Sequence, residues 1–580
     1  SIGHSPVSGL IDPGAGSRNS IAEALTNIVW APLKDGIKSI SLSANWMWAC
    51  KNPGEDARLY AAVEACAEFA IELGINIPTG KDSLSMKQKY TNKEVIAPGT
   101  VIISAAGHCD DIRKIVEPTI QAHQGKLYYL NMSFCELEIG GSSFAQILNK
   151  VGDKAPTVGD SSLFKAAFDN LQELVKGGHI AAGHDIGSGG LITTLLEMCF
   201  SDPNAGMDVD LNAIGMEDSI KLLFAENVGF VFQASNGSED IVSNSFKNNH
   251  IEIFEIGDYQ NDATVNIKNH HDQFTFDIPK WRDIWYKTSY LLDTRQSGAI
   301  KAKERFDHYK TQPLKFNFPG LFNGKKPIKD DSRPRIKAAV IREKGSNSER
   351  ELANAMYLAG FDVRDVHMTD LISGRETLED ISFIGAVGGF SNSDVLGSAK
   401  GWAGAFKYNE KANQALTNFF NRPDTLSVGI CNGCQLFIEL GMIYPDHDVQ
   451  PKMHFNDSHK HESAFTSVKI AKNHSVMLST LEGSTLGVWI SHGEGKFLLP
   501  KPASAYHIVA QYGYHTYPAN PNGSDYNTAM MCSQDGRHLV MMPHIERSIF
   551  QWNWAHYPLD RNDEVSPWVE AFVNAKKWLE

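Results

Sequence analysis

The sequence predicts a multidomain chain in which α+β domains are followed by an α/β domain built on a mainly parallel sheet. After residue 335, short apolar strands alternate with helical stretches, as in parallel sheets covered by helices on both faces. Before residue 300 the chain is glycine-rich and lacks this regular alternation. Between these regions, Pro313, Pro319, Pro327 and Pro334 lie among many lysines, which is typical of a linker or of a segment along a surface.

The length of 580 residues exceeds what a single core supports, and about 150 residues per domain suggests three or four domains. A change of composition near residues 110–125 indicates a boundary within the first part. We therefore expect domains at residues 1–115, 116–300 and 336–580, with a linker at 301–335.

The apolar periodicity of the last domain predicts individual elements. Strands are expected at 336–341, 361–367, 383–387 and 426–430, helices at 348–358 and 433–440, and further strands near 464–470, 486–491, 507–511 and 538–542.

In the first part, residues 55–73 are expected to form a helix because acidic residues open the segment and Gly74 closes it. Its apolar positions fall on one face of the helix, which we expect to be buried. These positions are Leu59, Val63, Cys66, Ala70 and Leu73.

Composition excludes several classes of protein. No uncharged apolar run reaches the 18 residues of a membrane span, and the first residues do not form a secretory signal. The net charge of −14 argues against a general nucleic-acid surface, which needs clustered Lys and Arg. Eight scattered cysteines in 580 residues do not suggest a disulfide scaffold, so a cytoplasmic location is expected.

The most informative motif is Gly429-Ile430-Cys431-Asn432-Gly433, which joins an apolar strand to a helix. This arrangement is a nucleophile elbow with Cys in place of Ser. The flanking glycines allow a sharp turn that leaves Cys431 at a helix N-terminus, where the helix dipole favours a thiolate.

A base and an orienting carboxylate are available in His544 and Glu546, which lie two residues apart. In an extended segment they point the same way, so the carboxylate could hold one imidazole nitrogen while the other faces the thiol. The glycines of Gly388-Gly389-Phe390 follow another buried strand. Their backbone N–H groups, with that of Asn432, could stabilise an oxyanion.

Cys431 also allows other interpretations. The spacing Cys431-x-x-Cys434 also fits a redox pair or half of a zinc site, but the sequence has no second pair with zinc spacing. A single buried cysteine is usually core packing. The three elements together, in suitable structural contexts, favour the nucleophile.

These motifs resemble the class I glutamine amidotransferases, whose glutaminase domain is flavodoxin-like. Further stretches resemble the long, single-chain members that act in purine biosynthesis: Gly388–Gly397, Ser491–Gly495 and Tyr517–Ser524. The resemblance implies a catalytic triad of Cys431, His544 and Glu546. It also implies a glutamine pocket that includes Gly388, Gly389, Phe390 and Asn432.

The first 300 residues resemble the aminoimidazole ribonucleotide synthetase superfamily, an α+β fold. The resemblance lies in Ser43–Trp46, Gly80–Met86 and His184–Leu191. Glu23 and Asn27 are four residues apart and share a helix face, from which both can offer oxygens to Mg²⁺. Asp185 precedes a glycine-rich turn and can add a third oxygen near phosphates. Such pairs are usually only solvated, so the pattern alone is weak.

The resemblance strengthens this interpretation, because Glu23, Asn27 and Asp185 match the ligands of the superfamily's Mg²⁺–nucleotide site. Gly187 and Ser188 match its nucleotide-contacting turn, although the superfamily has Ser at the position of Gly187. ATP or ADP and Mg²⁺ are therefore the implied cofactors. A further Asp ligand of the superfamily lies upstream of the given sequence, so the matched site could be an auxiliary one that holds ADP structurally.

The resemblance implies an ATP-dependent carbon–nitrogen ligase that uses glutamine to convert formylglycinamide ribonucleotide into its amidine. The synthetase's catalytic residues belong mainly to an earlier half. We therefore expect this chain to be the C-terminal half of a protein about twice as long, with the N-terminal half as its partner and glutaminase at most as its own activity. Two alternatives stay open: a glutaminase that feeds another acceptor, and a non-catalytic binding or scaffold fragment.

Overall fold

The computed structural model describes residues 1–311, 314–328 and 334–580. The chain divides into two compact units, Ser1–Trp285 and Tyr286–Glu580. Within the described residues, every helix is either too short or too polar to cross a membrane.

The first unit contains thirteen strands and most of nine helices within its described residues. The strands are β1 (Ile2–His4), β2 (Ser41–Met47), β3 (Asn76–Ser83), β4 (Lys87–Lys89), β5 (Glu94–Ile96), β6 (Thr100–Ala106), β7 (Leu127–Asn131), β8 (Ile180–Ile186), β9 (Gly206–Asp210), β10 (Gly229–Ala234), β11 (Phe254–Gln260), β12 (Thr264–Asn269) and β13 (Asp272–Asp277). The helices are α1 (Pro6–Ile11), α2 (Pro13–Ile28), α3 (Glu55–Leu73), α4 (Ser143–Ile147), α5 (Ser161–Gly177), α6 (Gly190–Phe200), α7 (Ser219–Phe224), α8 (Glu239–Asn248) and α9 (Ile278–Gln296), which runs on into the second unit.

Two larger sheets organise this unit, a four-stranded one in the order β1-β6-β2-β3 and a seven-stranded one in the order β13-β12-β9-β11-β7-β10-β8. The inner strands of the second sheet are buried on both faces. On β7, Tyr128 and Leu130 belong to one apolar core, whereas Leu127 and Tyr129 belong to another. Alternate side chains of a strand point to opposite faces, so the sheet separates two cores.

Helix α3 has the expected bounds, but its buried face differs from the expected one. Val63 is 43% exposed, whereas Phe69 and Ala62 are buried together with Cys66, Ala70 and Leu73. The expectation for Val63 was wrong because the helix turns its largest apolar side chain, Phe69, into the core.

The second unit contains the remaining thirteen strands and seven helices of the described residues. The strands are β14 (Lys337–Arg342), β15 (Ser346–Asn347), β16 (Asp362–His367), β17 (Phe383–Ala386), β18 (Gly388–Gly389), β19 (Leu426–Ile430), β20 (Lys452–His454), β21 (Glu462–Ile470), β22 (Thr485–His492), β23 (Lys496–Leu498), β24 (His507–Tyr512), β25 (Thr528–Cys532) and β26 (His538–Met541). The helices are α10 (Gly298–His308), α11 (Glu349–Ala359), α12 (Met368–Ser373), α13 (Lys400–Tyr408), α14 (Glu410–Asn421), α15 (Asn432–Glu439) and α16 (Val569–Leu579).

A nine-stranded sheet forms the centre of the second unit, in the order β16-β14-β17-β19-β26-β25-β24-β21-β22. The pairs from β16 to β26 are parallel, and the pairs beyond β26 are antiparallel. Helices cover both faces of β17: Gly385 lies against Leu352 of α11, and the next residue, Ala386, lies against Gly433 of α15. The expected α/β domain with a covered parallel sheet is confirmed.

All the elements expected between residues 336 and 542 are present, with ends within about two residues of the expected ones. Helices α12, α13, α14 and α16, the strand β25 and the short strands β15, β18, β20 and β23 were not predicted. Residues 301–308 belong to α10 and are not extended, so this part of the expected linker was wrong. Residues 314–328 do lie along a surface, where Phe316 and Phe318 pack against Trp554. Residues 312–313 and 329–333, which include Pro313, lie outside the described residues.

The contact between α15 and β17 predicts the effect of one substitution. A Cβ added at Gly433 would lie 2.1 Å from the carbonyl oxygen of Ala386, so Gly433→Ala must push the helix off the strand. We expect it to lower the free energy of unfolding by about 1–3 kcal/mol or more, measured by denaturant titration. Gly320→Ala is the control, since nothing lies within 4 Å of its added Cβ. Equal stability of the two variants would contradict the close packing.

Candidate active site

The candidate site lies at the carboxyl end of the parallel strands. Strand β19 pairs with β17 on one side and β26 on the other. Cys431 follows β19, Gly388 follows β17, and His544 follows β26 by three residues. Because carboxyl ends of parallel strands meet at one edge, three distant stretches of sequence converge there.

Cys431 adopts a strained backbone conformation, with φ 52° and ψ −105°. Its N–H donates to the carbonyl oxygen of Met541 at 2.8 Å, which fixes the turn to the neighbouring strand. A Cβ at Gly429 would lie 2.6 Å from the carbonyl oxygen of Gly433, so neither glycine leaves room for a side chain. The structure has the sharp strand-to-helix turn of a nucleophile elbow.

His544 and Glu546 form a buried pair, with Nδ1 of the imidazole 2.6 Å from Oε1 of the carboxylate. Their side chains are 2% and 0% exposed. The two residues were expected to lie on an extended segment. This expectation was wrong, because β26 ends at Met541 and Ile545–Arg547 form a single 3-10 turn. His544 is held in place by its N–H, which donates to the carbonyl oxygen of Trp489 at 2.8 Å.

The charge of Glu546 decides the protonation of His544. Burial alone would lower the pKa of His544, but the negative charges of Glu546 and of the Cys431 thiolate outweigh burial and raise it to about 10. An imidazolium beside Cys431 is therefore favoured at neutral pH. The pKa of the neighbouring Cys434 thiol is raised by complete burial, so of the two thiols only Cys431 is suited to be a nucleophile.

A small cavity of about 40 Å³ opens beside Cys431, whose Sγ lies 3.5 Å from the carbonyl oxygen of Ser491. The lining residues come from five stretches of the chain. They are Asn347, Gly389, Phe390, Asp394, Ser398, Cys431, Gln435, Ser491, His492, Gly493, His544 and Arg547. Gly388 lies beneath the cavity, where an added Cβ would lie 2.8 Å from Cε1 of His544 and 3.4 Å from Cβ of Cys431.

The expected oxyanion donors differ in their availability. The N–H of Phe390 donates to the carbonyl oxygen of Gly345 at 2.9 Å, so it is engaged elsewhere, and the expectation for this group is not met. The phenyl ring of Phe390 is half-exposed and lines the cavity instead. Gly388 donates only a long bond of 3.4 Å to Oγ of Ser348. Asn432 is the first residue of α15, where an N–H lacks an intrahelical acceptor.

Two carboxylates near the cavity were not predicted from the sequence. Asp394 accepts from Oγ of Ser398 at 3.1 Å, and Glu494 accepts from the N–H of Ser398 at 3.3 Å. Burial, and then the charge of Glu494, raise the pKa of Asp394. Its Oδ1 is buried and has no hydrogen-bond partner among the described residues. The two carboxylates thus create a negative region that would favour a cation.

Gln435, on the first turn of α15, was also missed. It accepts from Nδ2 of Asn432 at 3.0 Å and donates to the carbonyl oxygen of Glu494 at 2.7 Å. Gln435 thereby connects α15, the helix that begins after Cys431, to the segment that follows β22. Its position four residues after the nucleophile, on the same helix face, was a signal that could have identified it.

In the first unit, the structure brings together the three expected metal ligands. Nδ2 of Asn27 donates to Oδ2 of Asp185 at 3.0 Å, and Glu23 lies one helical turn from Asn27. Burial raises the pKa of Glu23, and the charges of Asp185 and Glu226 raise it further, whereas a bond of 2.7 Å from the N–H of His4 opposes this. These carboxylates repel one another, and a cation would relieve the repulsion.

The set offers only two carboxylates and one amide oxygen. Across the described ranges of the chain, no group of three or more His, Cys, Asp and Glu side chains is arranged to hold a metal ion by itself. A Mg²⁺ ion here would need phosphate oxygens and water to complete its octahedron, as in many nucleotide sites.

Gly187 and Ser188 form the turn between β8 and α6, and Ser188 is exposed. At the start of α6, the N–H of Gly189 donates to Oε1 of Glu226 at 2.7 Å, and the N–H of Ser143 donates to the same atom at 2.7 Å. Glu226 therefore occupies the N–H groups that a phosphate would otherwise meet there. Phosphate contacts by Gly187 and Ser188 stay a prediction.

The buried His544–Glu546 pair predicts the pH dependence of thiol reactivity. In Glu546→Gln the imidazolium loses its carboxylate, so the pKa of His544 falls and the thiolate of Cys431 is less favoured near pH 7. We expect the alkylation of Cys431 by iodoacetamide to slow by roughly tenfold at pH 7, with its midpoint moved to higher pH. Glu564→Gln, at an exposed glutamate, should leave the profile unchanged. The same profile in all three proteins would show that Glu546 does not act on the thiol.

Three parts of the chain match models of known families. Residues 335–579 match the CobB/CobQ-like glutamine amidotransferase domain. Residues 1–108 match the FGAR-AT PurM_N-like domain, and residues 126–268 match the C-terminal domain of AIR synthase related proteins.

Curated proteins that are similar to the whole chain carry names consistent with these family matches. A probable chloroplastic/mitochondrial phosphoribosylformylglycinamidine synthase of Arabidopsis thaliana is 38% identical over all of this chain and 43% of its own. The human phosphoribosylformylglycinamidine synthase is 36% identical over all of this chain and 45% of its own. A solved structure, PurLQS from Thermotoga maritima, is 22% identical over 43% of this chain and all of its own, with a TM-score of 0.34 that is too low to compare sites.

The chain spans somewhat less than half the length of these curated relatives. Its similarity to them nevertheless extends over its whole length, through both synthetase-like regions and the amidotransferase domain. Over its whole length, the chain is thus similar in sequence to proteins named phosphoribosylformylglycinamidine synthase.

Proposed function

We propose that the second unit is a glutaminase in which Cys431 is the nucleophile, His544 the proton carrier and Glu546 the residue that orients and charges it. The observation that carries this proposal is the 2.6 Å buried bond between His544 and Glu546, placed beside a strained Cys431 at the start of a helix. A redox pair has no use for that imidazole–carboxylate pair, and a zinc site would need a set of ligands that the described residues do not bring together.

The proposed reaction begins with attack of the Cys431 thiolate on the carboxamide carbon of glutamine, which forms the carbon–sulfur bond. His544 then gives its proton to the nitrogen, the carbon–nitrogen bond breaks, and ammonia leaves a glutamyl thioester. His544, now neutral, takes a proton from water as the oxygen attacks the thioester carbon. Cleavage of the carbon–sulfur bond releases glutamate and regenerates the thiolate–imidazolium pair.

The cavity supports glutamine as the substrate of this reaction. Asp394 and Glu494 provide negative charge near the cavity, as an α-ammonium group requires. Arg547 lines the cavity as well and offers a positive charge to an α-carboxylate. The α-ammonium and the α-carboxylate groups of glutamine would thus each lie near a side chain of opposite charge.

We further propose that the ammonia serves the ATP-dependent conversion of formylglycinamide ribonucleotide to its amidine, with the remaining half of a longer protein as partner. Relatives that match the whole chain carry the name of that synthase. In the first unit, Glu23, Asn27 and Asp185 would hold Mg²⁺, with Glu226 adding negative charge at one side. The ion would supply charge neutralisation for the phosphates of ATP or ADP.

The direct test is glutamate release from glutamine by the chain, with and without ATP and formylglycinamide ribonucleotide. We expect Cys431→Ala to abolish release, a loss of at least about 10³-fold, because no other group forms the thioester. Cys434→Ala removes a thiol three residues away that is completely buried, and it should retain most of the activity.

Equal activity of the two cysteine variants would contradict the assigned nucleophile. Glutamate release without amidine would support a glutaminase that needs its partner for the synthetase step. Amidine formation by this chain alone would contradict the need for that partner.

A further inference from the structure

His492 lines the candidate cavity but has no part in the proposed triad. It is the last residue of β22 and directly follows Ser491, whose carbonyl oxygen lies 3.5 Å from Sγ of Cys431. The side chain is buried, with 3% of the residue exposed. Its Nε2 is buried and has no hydrogen-bond partner among the described residues. A buried nitrogen without a hydrogen bond lowers the stability of the protein. Its presence in a residue that lines a reaction cavity therefore indicates that a ligand supplies the missing bond.

The surroundings of Asn456 determine which nitrogen of His492 carries the proton. Nδ2 of Asn456 donates to the carbonyl oxygens of His492 at 2.7 Å and Lys460 at 3.0 Å. These two bonds fix the orientation of the amide, so its Oδ1 faces the N–H of Gly495 at 3.0 Å and Nδ1 of His492 at 3.2 Å. Since Oδ1 can only accept, Nδ1 of His492 must be the protonated nitrogen.

It follows that Nε2 of His492 is a bare acceptor. Burial, and then the charges of His544 and His461, lower the pKa of His492 to about 3, so the imidazole stays neutral throughout the working pH range. Protonation of Nε2 would place a second positive charge near the His544 imidazolium. A ligand of Nε2 must therefore bring its own N–H or O–H donor.

We propose that Nε2 of His492 accepts a hydrogen bond from the carboxamide NH₂ of the substrate and so selects glutamine over donors that lack this group. This inference rests on the proposed glutaminase and deepens it. Oxyanion donors recognise the carbonyl oxygen, which glutamine, glutamate and esters all possess. Only an acceptor recognises the NH₂ group. A hydrogen bond from this group to Nε2 uses an N–H of the substrate, so the lone pair of the carboxamide nitrogen stays free for the proton of His544.

The proposal separates two acyl donors that differ in one group. Glutamine can donate to Nε2, whereas the γ-methyl ester of glutamate cannot and makes no use of the acceptor. In His492→Leu we expect kcat/KM for glutamine to fall by roughly 10- to 100-fold, and that for the ester to change by less than about threefold. Gln at this position keeps an acceptor oxygen, so His492→Gln should restore part of the glutamine activity.

A purely structural role for His492 would lower both activities equally, and that result would overturn the proposal while leaving the glutaminase intact. If the unsubstituted protein releases glutamate from neither donor, the proposed function itself fails. Labelling of Cys431 by a glutamine-like electrophile shows in each variant whether the cavity is still formed.

A second measurement does not depend on the folding of any His492 variant. In Cys431→Ala protein labelled with ¹⁵N-histidine, the signals of His492 should show a protonated Nδ1 and an unprotonated Nε2. Glutamine should shift the Nε2 signal and glutamate should not. A protonated Nε2, or a signal that glutamine leaves unchanged, would contradict the proposal.

Discussion

The candidate site depends on the close approach of three backbone segments at the end of the parallel sheet. Gly433 lets α15 touch the carbonyl oxygen of Ala386, Gly429 lets the chain double back on itself, and Gly388 lies directly beneath Cys431 and His544. A methyl group at any of these positions would collide with backbone or with the imidazole. Strands β17, β19 and β26 can therefore bring a thiol and an imidazole together only because no side chain separates them.

Burial then makes the electrostatics of the site strong. Water is excluded from the His544–Glu546 pair, so the carboxylate acts on the imidazole through a low dielectric and keeps it charged. His492 experiences the opposite effect, because it has no carboxylate and stays neutral beside the same imidazolium. Two neighbouring histidines thus acquire different roles, one as a proton donor and the other as an acceptor. The difference comes from Glu546 in one case and from Asn456 in the other.

Local patterns predicted the parts of the structure that depend on neighbouring residues. The apolar runs at 336–341 and 426–430 indicated buried parallel strands, and the glycines around Cys431 indicated the elbow. The sequence could not show that the N–H of Phe390 donates a hydrogen bond to the carbonyl oxygen of Gly345, since that bond depends on how two loops pack together. For the same reason it missed Asp394 and Glu494, which lie 100 residues apart. Glu226 was missed because it reaches Gly189 from a different element.

The central claim is that Cys431 forms a covalent bond with glutamine, and trapping the intermediate tests this most directly. Protein mixed with glutamine would be quenched in acid, digested and analysed by mass spectrometry for a glutamyl adduct. The structure predicts the adduct on Cys431 and none on Cys434, because only the former opens to the cavity beside His544. Consumption of glutamine with the adduct on another residue, or with none on Cys431 at any quench time, would contradict the account.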